Sequence, residues 1–362
     1  MEQVELFRAG ERDYTELIGP CGPANYPAGF IYVYWVMQVL TGQDYRLGQV
    51  IHAFLYAFLH YITLKIFLMI YKKEEVWKLS LFLVFQLYNR NSALLFLFND
   101  IFISITMAIC VYLLMKQKLI ASMVAYAVST TIKAGAIIYL PGFLLLITFV
   151  QGLPMVPLLV LILIGAHYLV ALPFLETNAS GYWANAFNVS VHYTHGNSAS
   201  WRFLVPDERS YYHPNKVVFL RTLMLILFAL FLVFKWTRLS TFFADVRLYP
   251  FTVTRKYVSP RKIAMIMASS AVIALFCGPC SHCQFVQWCD FLTPVLFMGA
   301  DLLTRERVVL FALIQIFWDE WYLGQCELFV REYYSALGFL GYVGLIWAMF
   351  FVTDYLKDDD KT

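Results

Sequence analysis

Apolar residues run almost unbroken through the chain, in blocks near 49–71, 79–98, 101–115, 119–150, 153–175, 216–234, 262–279, 285–303, 308–324 and 335–353. A bilayer core of about 30 Å needs about 20 apolar residues in a helix, and most of these blocks approach that length. In lipid the backbone must satisfy its own hydrogen bonds. Long runs without period-two alternation therefore predict helices rather than a barrel. The block 119–150 suffices for two short spans broken at Lys133. The pattern predicts an all-α polytopic membrane protein, one multi-pass domain over residues 1–362 with ten or eleven crossings and no internal repeat.

One apolar stretch differs from the rest. Gly22 to Phe30 reads GPANYPAGF, and the aromatic run Ile31-Tyr32-Val33-Tyr34-Trp35 follows it. Proline fixes φ and lacks an N–H, so two prolines and two glycines here predict a rigid turn that aims a following helix. That helix, from Ala28 to about Leu40, is short for a span and rich in the aromatics that favour the membrane–water boundary. It is read as an interfacial helix at the rim of a site, within a luminal segment 1–48. A short proline-started span is the other reading.

Composition narrows the class. The chain is 60% hydrophobic and 14% charged, against about 25% charge in soluble domains, which requires lipid-embedded helices. A net charge of +3 gives no basis for nucleic-acid binding. Lys and Arg instead mark sidedness. The loop 235–262 carries Lys235, Arg238, Arg247, Arg255, Lys256, Arg261 and Lys262 against Asp245, which makes it cytosolic. Lys72, Lys73, Lys78, Lys116, Lys118, Arg305 and Arg307 fall on that face as well. The loop 176–215 then lies on the luminal face, with the sequons Asn178-Ala179-Ser180 and Asn188-Val189-Ser190. Gly22–Phe30, Asn99-Asp100, Lys133 and the turn 279–284 collect on that same face. Met1 to Asp13 is polar and has no apolar core, so no signal peptide is predicted there.

Polar groups inside a membrane are costly and need a partner or a task. Asn89, Arg90 and Asn91 interrupt one apolar run and Asn99-Asp100 end it. They are either helix-satisfied kinks or site residues. Lys133 either binds phosphate as a point charge or snorkels to the nearer surface. In 176–215, Tyr182, Trp183, Phe187, His192, Tyr193, His195, Trp201, Arg202 and Phe203 suit either a sugar or an interfacial helix. Cys277-x-x-Cys280-x-x-Cys283 has a metal-site spacing, but a lumen favours disulfides over metal thiolates, and no metal is predicted.

Several stretches resemble one family. Asp13-Tyr14-Thr15-Glu16 and Gly22-Pro23 through Tyr26-Pro27-Ala28-Gly29-Phe30 resemble the first luminal loop of the endoplasmic-reticulum α-1,3-mannosyltransferases of asparagine-linked glycosylation, which belong to the GT-C class. Leu97-Phe98-Asn99-Asp100 is similar to the family's RLFND motif, with Phe96 in place of its Arg. Lys133 and Pro141-Gly142 resemble its K-M-N…P-G stretch, with Ala134 and Gly135 in place of Met and Asn. Leu172-Pro173-Phe174-Leu175, Asn178, Ser180-Gly181-Tyr182 and Trp201-Arg202-Phe203-Leu204 resemble its LPFL…N-x-S-G-Y…W-R-F-L run. His282, Gln284-Phe285 and Trp288 resemble its H-Y-Q-F-x-x-W motif. Pro20, Asn185, Asn188 and Pro279 stand where the family has charged residues.

The resemblance implies a GT-C-like bundle in the endoplasmic-reticulum membrane. It implies inverting transfer of mannose from dolichyl-phosphate-mannose to a dolichol-pyrophosphate-linked Man5GlcNAc2-type oligosaccharide, in α-1,3 linkage. An inverting reaction needs one base at the acceptor hydroxyl, and the lipid phosphate leaves once its charge is held, so no cofactor is required. The family's base is an Asp in an E-I-D-W motif, which the resemblance puts upstream of Met1 and expects in the preceding codons. Arg202, Lys133 and His282 are expected to hold the leaving phosphate. Tyr26, Pro27, Asn99, Asp100, Tyr182, Trp201 and Gln284 are expected to bind donor or acceptor. The rival reading is a non-catalytic lipid-binding or scaffold homologue.

Overall fold

The computed structural model describes residues 2–20, 22–84, 86, 93–188, 219, 222–230, 258–277, 283–300, 302–326 and 332–350. The described helices are α1 (Glu2–Arg8), α2 (Gly29–Thr41), α3 (Tyr45–Ile70), α4 (Lys73–Val84), α5 (Asp100–Met115), α6 (Leu119–Ile132), α7 (Leu140–Gln151), α8 (Met155–Ala186), α9 (Pro260–Cys277), α10 (Gln287–Asp290), α11 (Thr293–Gly299), α12 (Thr304–Cys326) and α13 (Glu332–Phe350). Among the described residues the only sheet is an antiparallel pair, β1 (Ile18–Gly19) with β2 (Gly22–Pro23). The fold is that of an all-α polytopic membrane protein, and α3, α8 and α9 are the described helices long and apolar enough to cross a membrane.

The chain forms two compact units. Met1–Ile62, Arg90–Ile137 and Pro157–Val191 make the first; Thr63–Asn89, Ile138–Val156 and His192–Thr362 make the second.

In the first unit, α5 and α6 form an antiparallel hairpin. Its turn is Lys116-Gln117-Lys118, with Gln117 in the left-handed region (φ 59°) and the Lys118 N–H on the Leu113 carbonyl (2.9 Å). The sequence break at Lys133 is where α6 stops: Lys133 is extended (φ −155°, ψ 124°), and the 3₁₀ turn Ala134–Tyr139 follows before α7. The short helix expected from Ala28 to about Leu40 forms as α2. It ends at Gly42, whose left-handed backbone (φ 56°) returns its N–H to the Gln38 carbonyl. Val36, Val39 and Leu40 stay exposed. Phe7, Tyr14, Phe30, Ile132, Phe174 and Tyr182 anchor one buried core, so the N-terminal loop, α2, the end of α6 and α8 share an interior.

The segment expected to be loop from residue 176 is helical as far as Ala186. Its polar composition suggested a loop, but Asn178 restarts the helix. Its backbone leaves helical geometry (φ −150°, ψ 82°). Its Oδ1 accepts the Gly181 N–H (2.9 Å) and the Ser180 hydroxyl (3.0 Å). This is N-capping of a new segment by an asparagine.

In the second unit most of α9 is buried. Ser270 Oγ accepts the Gly142 N–H (3.0 Å) and donates to the Ile138 carbonyl (3.1 Å), which ties α9 to the start of α7. Tyr139 donates to the Trp288 carbonyl (2.6 Å), and Tyr342 packs edge-on against Trp318 (5.7 Å).

Candidate functional site

The helix hairpin of the first unit brings two opposite charges together. Asp100 is the first residue of α5 and Lys133 follows the last residue of α6. In an antiparallel hairpin these ends are neighbours. A carboxylate at a helix N-terminus and a cation at a C-terminus are each favoured by the helix dipole. Lys133 Nζ donates to Asp100 Oδ1 (2.9 Å) and to Asn99 Oδ1 (3.1 Å). Asn99 is the N-cap residue of α5, yet its side chain makes no capping bond; its oxygen faces Lys133 instead. Lys133 is only 3% exposed, so it does not snorkel to a surface. A buried charge without its partner costs several kcal/mol, so Asp100 is what makes Lys133 tolerable there.

Leu97 precedes this pair in the left-handed region (φ 52°), which is uncommon for a branched residue and turns the chain into α5. The Tyr34 hydroxyl of α2 holds the Leu97 carbonyl (2.8 Å). The proline–glycine turn lies over the pair. Lys133 Nζ sits 5.0 Å from the centre of the Tyr26 ring, a cation–π distance, and Tyr26 is half-buried. Tyr14 donates to the Tyr26 carbonyl, and the Ala28 N–H donates to the Tyr182 hydroxyl (3.2 Å). Two buried tyrosines thus grip the backbone on either side of Pro27. Burial raises the Tyr14 phenol well above its ordinary value, so it serves as a neutral donor. Gly29 is required next. A Cβ there would lie 2.5 Å from the Thr131 carbonyl oxygen at the end of α6, closer than atoms can pack.

A second contact fastens the N-terminal loop to α8. Asn178 Nδ2 donates to Asp13 Oδ2 (3.0 Å) and Oδ1 (3.2 Å), and Asp13 Oδ1 also accepts the Thr15 hydroxyl (2.7 Å) and N–H (2.9 Å). Hydrogen bonds from Thr15 and Asn178 hold the Asp13 carboxyl below its ordinary value. Gly181 permits this approach: its Cβ would lie 2.6 Å from Asn178 Nδ2 and 2.8 Å from Thr15 Cγ2.

Of the expected residues, Tyr26, Pro27, Asn99, Asp100, Lys133 and Tyr182 gather in the first unit. Tyr182 is fully buried, with its ring stacked on Phe174 (6.0 Å) beneath the turn. Gln284 belongs to the second unit, half-buried in the 3₁₀ turn Cys283–Val286, next to Phe285, whose ring stacks on Trp288 (4.1 Å). Trp201, Arg202 and His282 lie outside the described residues, as do Asn89, Arg90, Asn91, Cys280 and residues 189–215 and 235–257. The reading by residue type alone missed Asp13, Tyr14, Gly29, Tyr34 and Asn178. The resemblance motifs contained four of these; nothing marked Tyr34 beyond its place in an aromatic run.

A family model described as "ALG3 protein" matches residues 1–323. The chain belongs to this family. The matched residues take in the Lys133 pair, the turn over it and the Asp13–Asn178 contact. ALG3 family members act in the endoplasmic-reticulum membrane. A relative in Arabidopsis thaliana, named Dol-P-Man:Man(5)GlcNAc(2)-PP-Dol alpha-1,3-mannosyltransferase, is 32% identical over 343 residues, covering 88% of this chain and 75% of its own. Proteins of the same name are similar to the chain in Homo sapiens (28% identity, 90% of this chain, 76% of the relative) and Kluyveromyces lactis (27%, 83% and 69%). No solved structure matches the chain.

Proposed function

We propose that this ALG3-family protein is a mannosyltransferase of the endoplasmic-reticulum membrane. It moves mannose from dolichyl-phosphate-mannose to dolichol-pyrophosphate-linked Man5GlcNAc2 in α-1,3 linkage, with inversion. The observation that carries the reading is the buried Lys133–Asp100–Asn99 cluster beneath the Tyr26 turn, in a chain whose relatives carry that activity in their names.

In this reading each group has a distinct task. Lys133 and Asp100 lock the end of the α5–α6 hairpin as a neutral pair. The pair fixes the Tyr26 ring, whose open side offers a flat apolar face to a sugar or to the first isoprene units of dolichol. Asp100 accepts from an ammonium group and serves to position Lys133; the base expected for inversion is a different carboxylate. Arg202 and His282 are the groups proposed to hold the leaving phosphate, where charge builds as the glycosidic bond breaks. The Asp13–Asn178 contact positions α8, which leads into the Trp201-Arg202 segment.

The test is transfer in microsomes that lack endogenous enzyme of this family. The protein is expressed from its native gene and supplied with both lipid-linked substrates. Gain of a single hexose, removable by an α-1,3-specific mannosidase, is the expected product. Substrate left unextended by a protein that is present and inserted would overturn the assignment.

A further inference from the structure

The second unit carries a group of charges that the proposed transfer does not use. Tyr71 follows the last residue of α3, with its N–H on the Phe67 carbonyl (2.8 Å). Arg261 lies in the first turn of α9 and Arg307 in the first turn of α12. The Tyr71 hydroxyl is buried and within electrostatic reach of Arg261, Glu75 and Arg307, so the starts of α4, α9 and α12 converge beside it.

Three donors at this point are left over. The Tyr71 hydroxyl, Arg261 Nε and Arg307 Nε are each sealed from solvent and have no hydrogen-bond partner among the described residues. Among the described residues neither Arg261 nor Arg307 is paired with a carboxylate. Glu75 accepts the Lys72 N–H (3.2 Å), and Glu306 accepts the Leu303 N–H (2.9 Å). No acidic residue lies in the first turn of α9, so Arg261 stands at the positive end of a helix with no countercharge in that turn. A sealed donor without an acceptor is costly, and two guanidinium Nε groups with a phenol hydroxyl offer their donors to an anion.

We propose that Tyr71, Arg261 and Arg307 bind a phosphate group, supplied by an anionic phospholipid headgroup. Guanidinium forks match phosphate oxygens two at a time, and the phenol adds a third donor. The positive-inside reading puts Lys72, Lys73 and Arg305 at the same membrane face, where anionic headgroups are drawn to basic residues.

The experiment uses the purified full chain in nanodiscs of phosphatidylcholine, of phosphatidylcholine mixed with phosphatidylserine, and of phosphatidylcholine with inorganic phosphate added. Native mass spectrometry reads retained lipid, and thermal unfolding reads stabilisation. The wild type is expected to retain phosphatidylserine over phosphatidylcholine and to unfold at higher temperature in the mixed discs. Arg261→Gln/Arg307→Gln should weaken that preference about tenfold or more, and Tyr71→Phe should weaken it less. An equal rise with inorganic phosphate alone supports the phosphate site and identifies a soluble source. A wild type that shows neither retention nor stabilisation overturns the site, whether or not the double variant is recovered. A double variant that keeps the full preference overturns it as well.

Discussion

Lys133 decides how the end of the α5–α6 hairpin is built. It neutralises Asp100, takes the Asn99 oxygen away from capping duty and sits under the Tyr26 ring. Removing one partner of a buried pair strands the other charge, at a cost of about 3–5 kcal/mol. Lys133→Met should therefore lower the midpoint of denaturant unfolding sharply, while Lys133→Met/Asp100→Asn should cost less than the sum of the two single changes. A double variant as destabilised as the sum would mean that the two side chains act independently. Gly29→Ala probes the same place from above. Its Cβ would meet the Thr131 carbonyl at 2.5 Å, so the turn must shift, at about 1–3 kcal/mol, and transfer should fall with it. That Lys133 would break the apolar block was legible in the sequence, because one cation stands between two apolar halves. That it pairs with Asp100 was not, because that partner is 33 residues away and no local pattern links them.

At the scale of elements, α8 and the N-terminal loop depend on the Asp13–Asn178 contact. The folded Asp13 carboxyl lies below its ordinary value of 3.8. Its contribution to holding α8 is therefore complete above that value and disappears as the pH falls through the lowered one. Amide hydrogen exchange over Ala179–Ala186 should show steady protection at neutral pH, with loss only in acid below about 3.8. Asn178→Ala removes both the cap and the contact, so the same amides should exchange faster at every pH. Protection that survives Asn178→Ala would assign the stability of this segment to its apolar packing instead. Helix α2 was legible almost to the residue, since the prolines and glycines before it and the glycine after it are local punctuation. The continuation of α8 past residue 175 was not. Its cap is an asparagine inside a polar run, and its anchor, Asp13, is 165 residues distant in sequence.

For the whole molecule, the distribution of Lys and Arg predicts that the 235–262 loop and the 176–215 segment lie on opposite sides of the membrane. Single cysteines at Trp201 and Lys256 should separate cleanly in sealed microsomes: an impermeant maleimide labels Lys256→Cys at once and Trp201→Cys only after permeabilisation. Labelling of both in sealed vesicles would place the two segments in one compartment and remove the basis for a luminal site. The membrane class and the helical fold were legible because hydropathy and charge are summed over long stretches. The cluster around Lys133 became visible only once folding had joined segments far apart in sequence.

The most direct measurement of the account is the mass of the lipid-linked oligosaccharide in microsomes that carry this protein as their sole enzyme of the family. The wild type, expressed from its native gene, should convert Man5GlcNAc2 to a species one hexose larger. Lys133→Met at equal protein level should fall at least about tenfold, the equivalent of 1.4 kcal/mol in the barrier. An unextended oligosaccharide with the wild type, or undiminished extension with Lys133→Met, would contradict it.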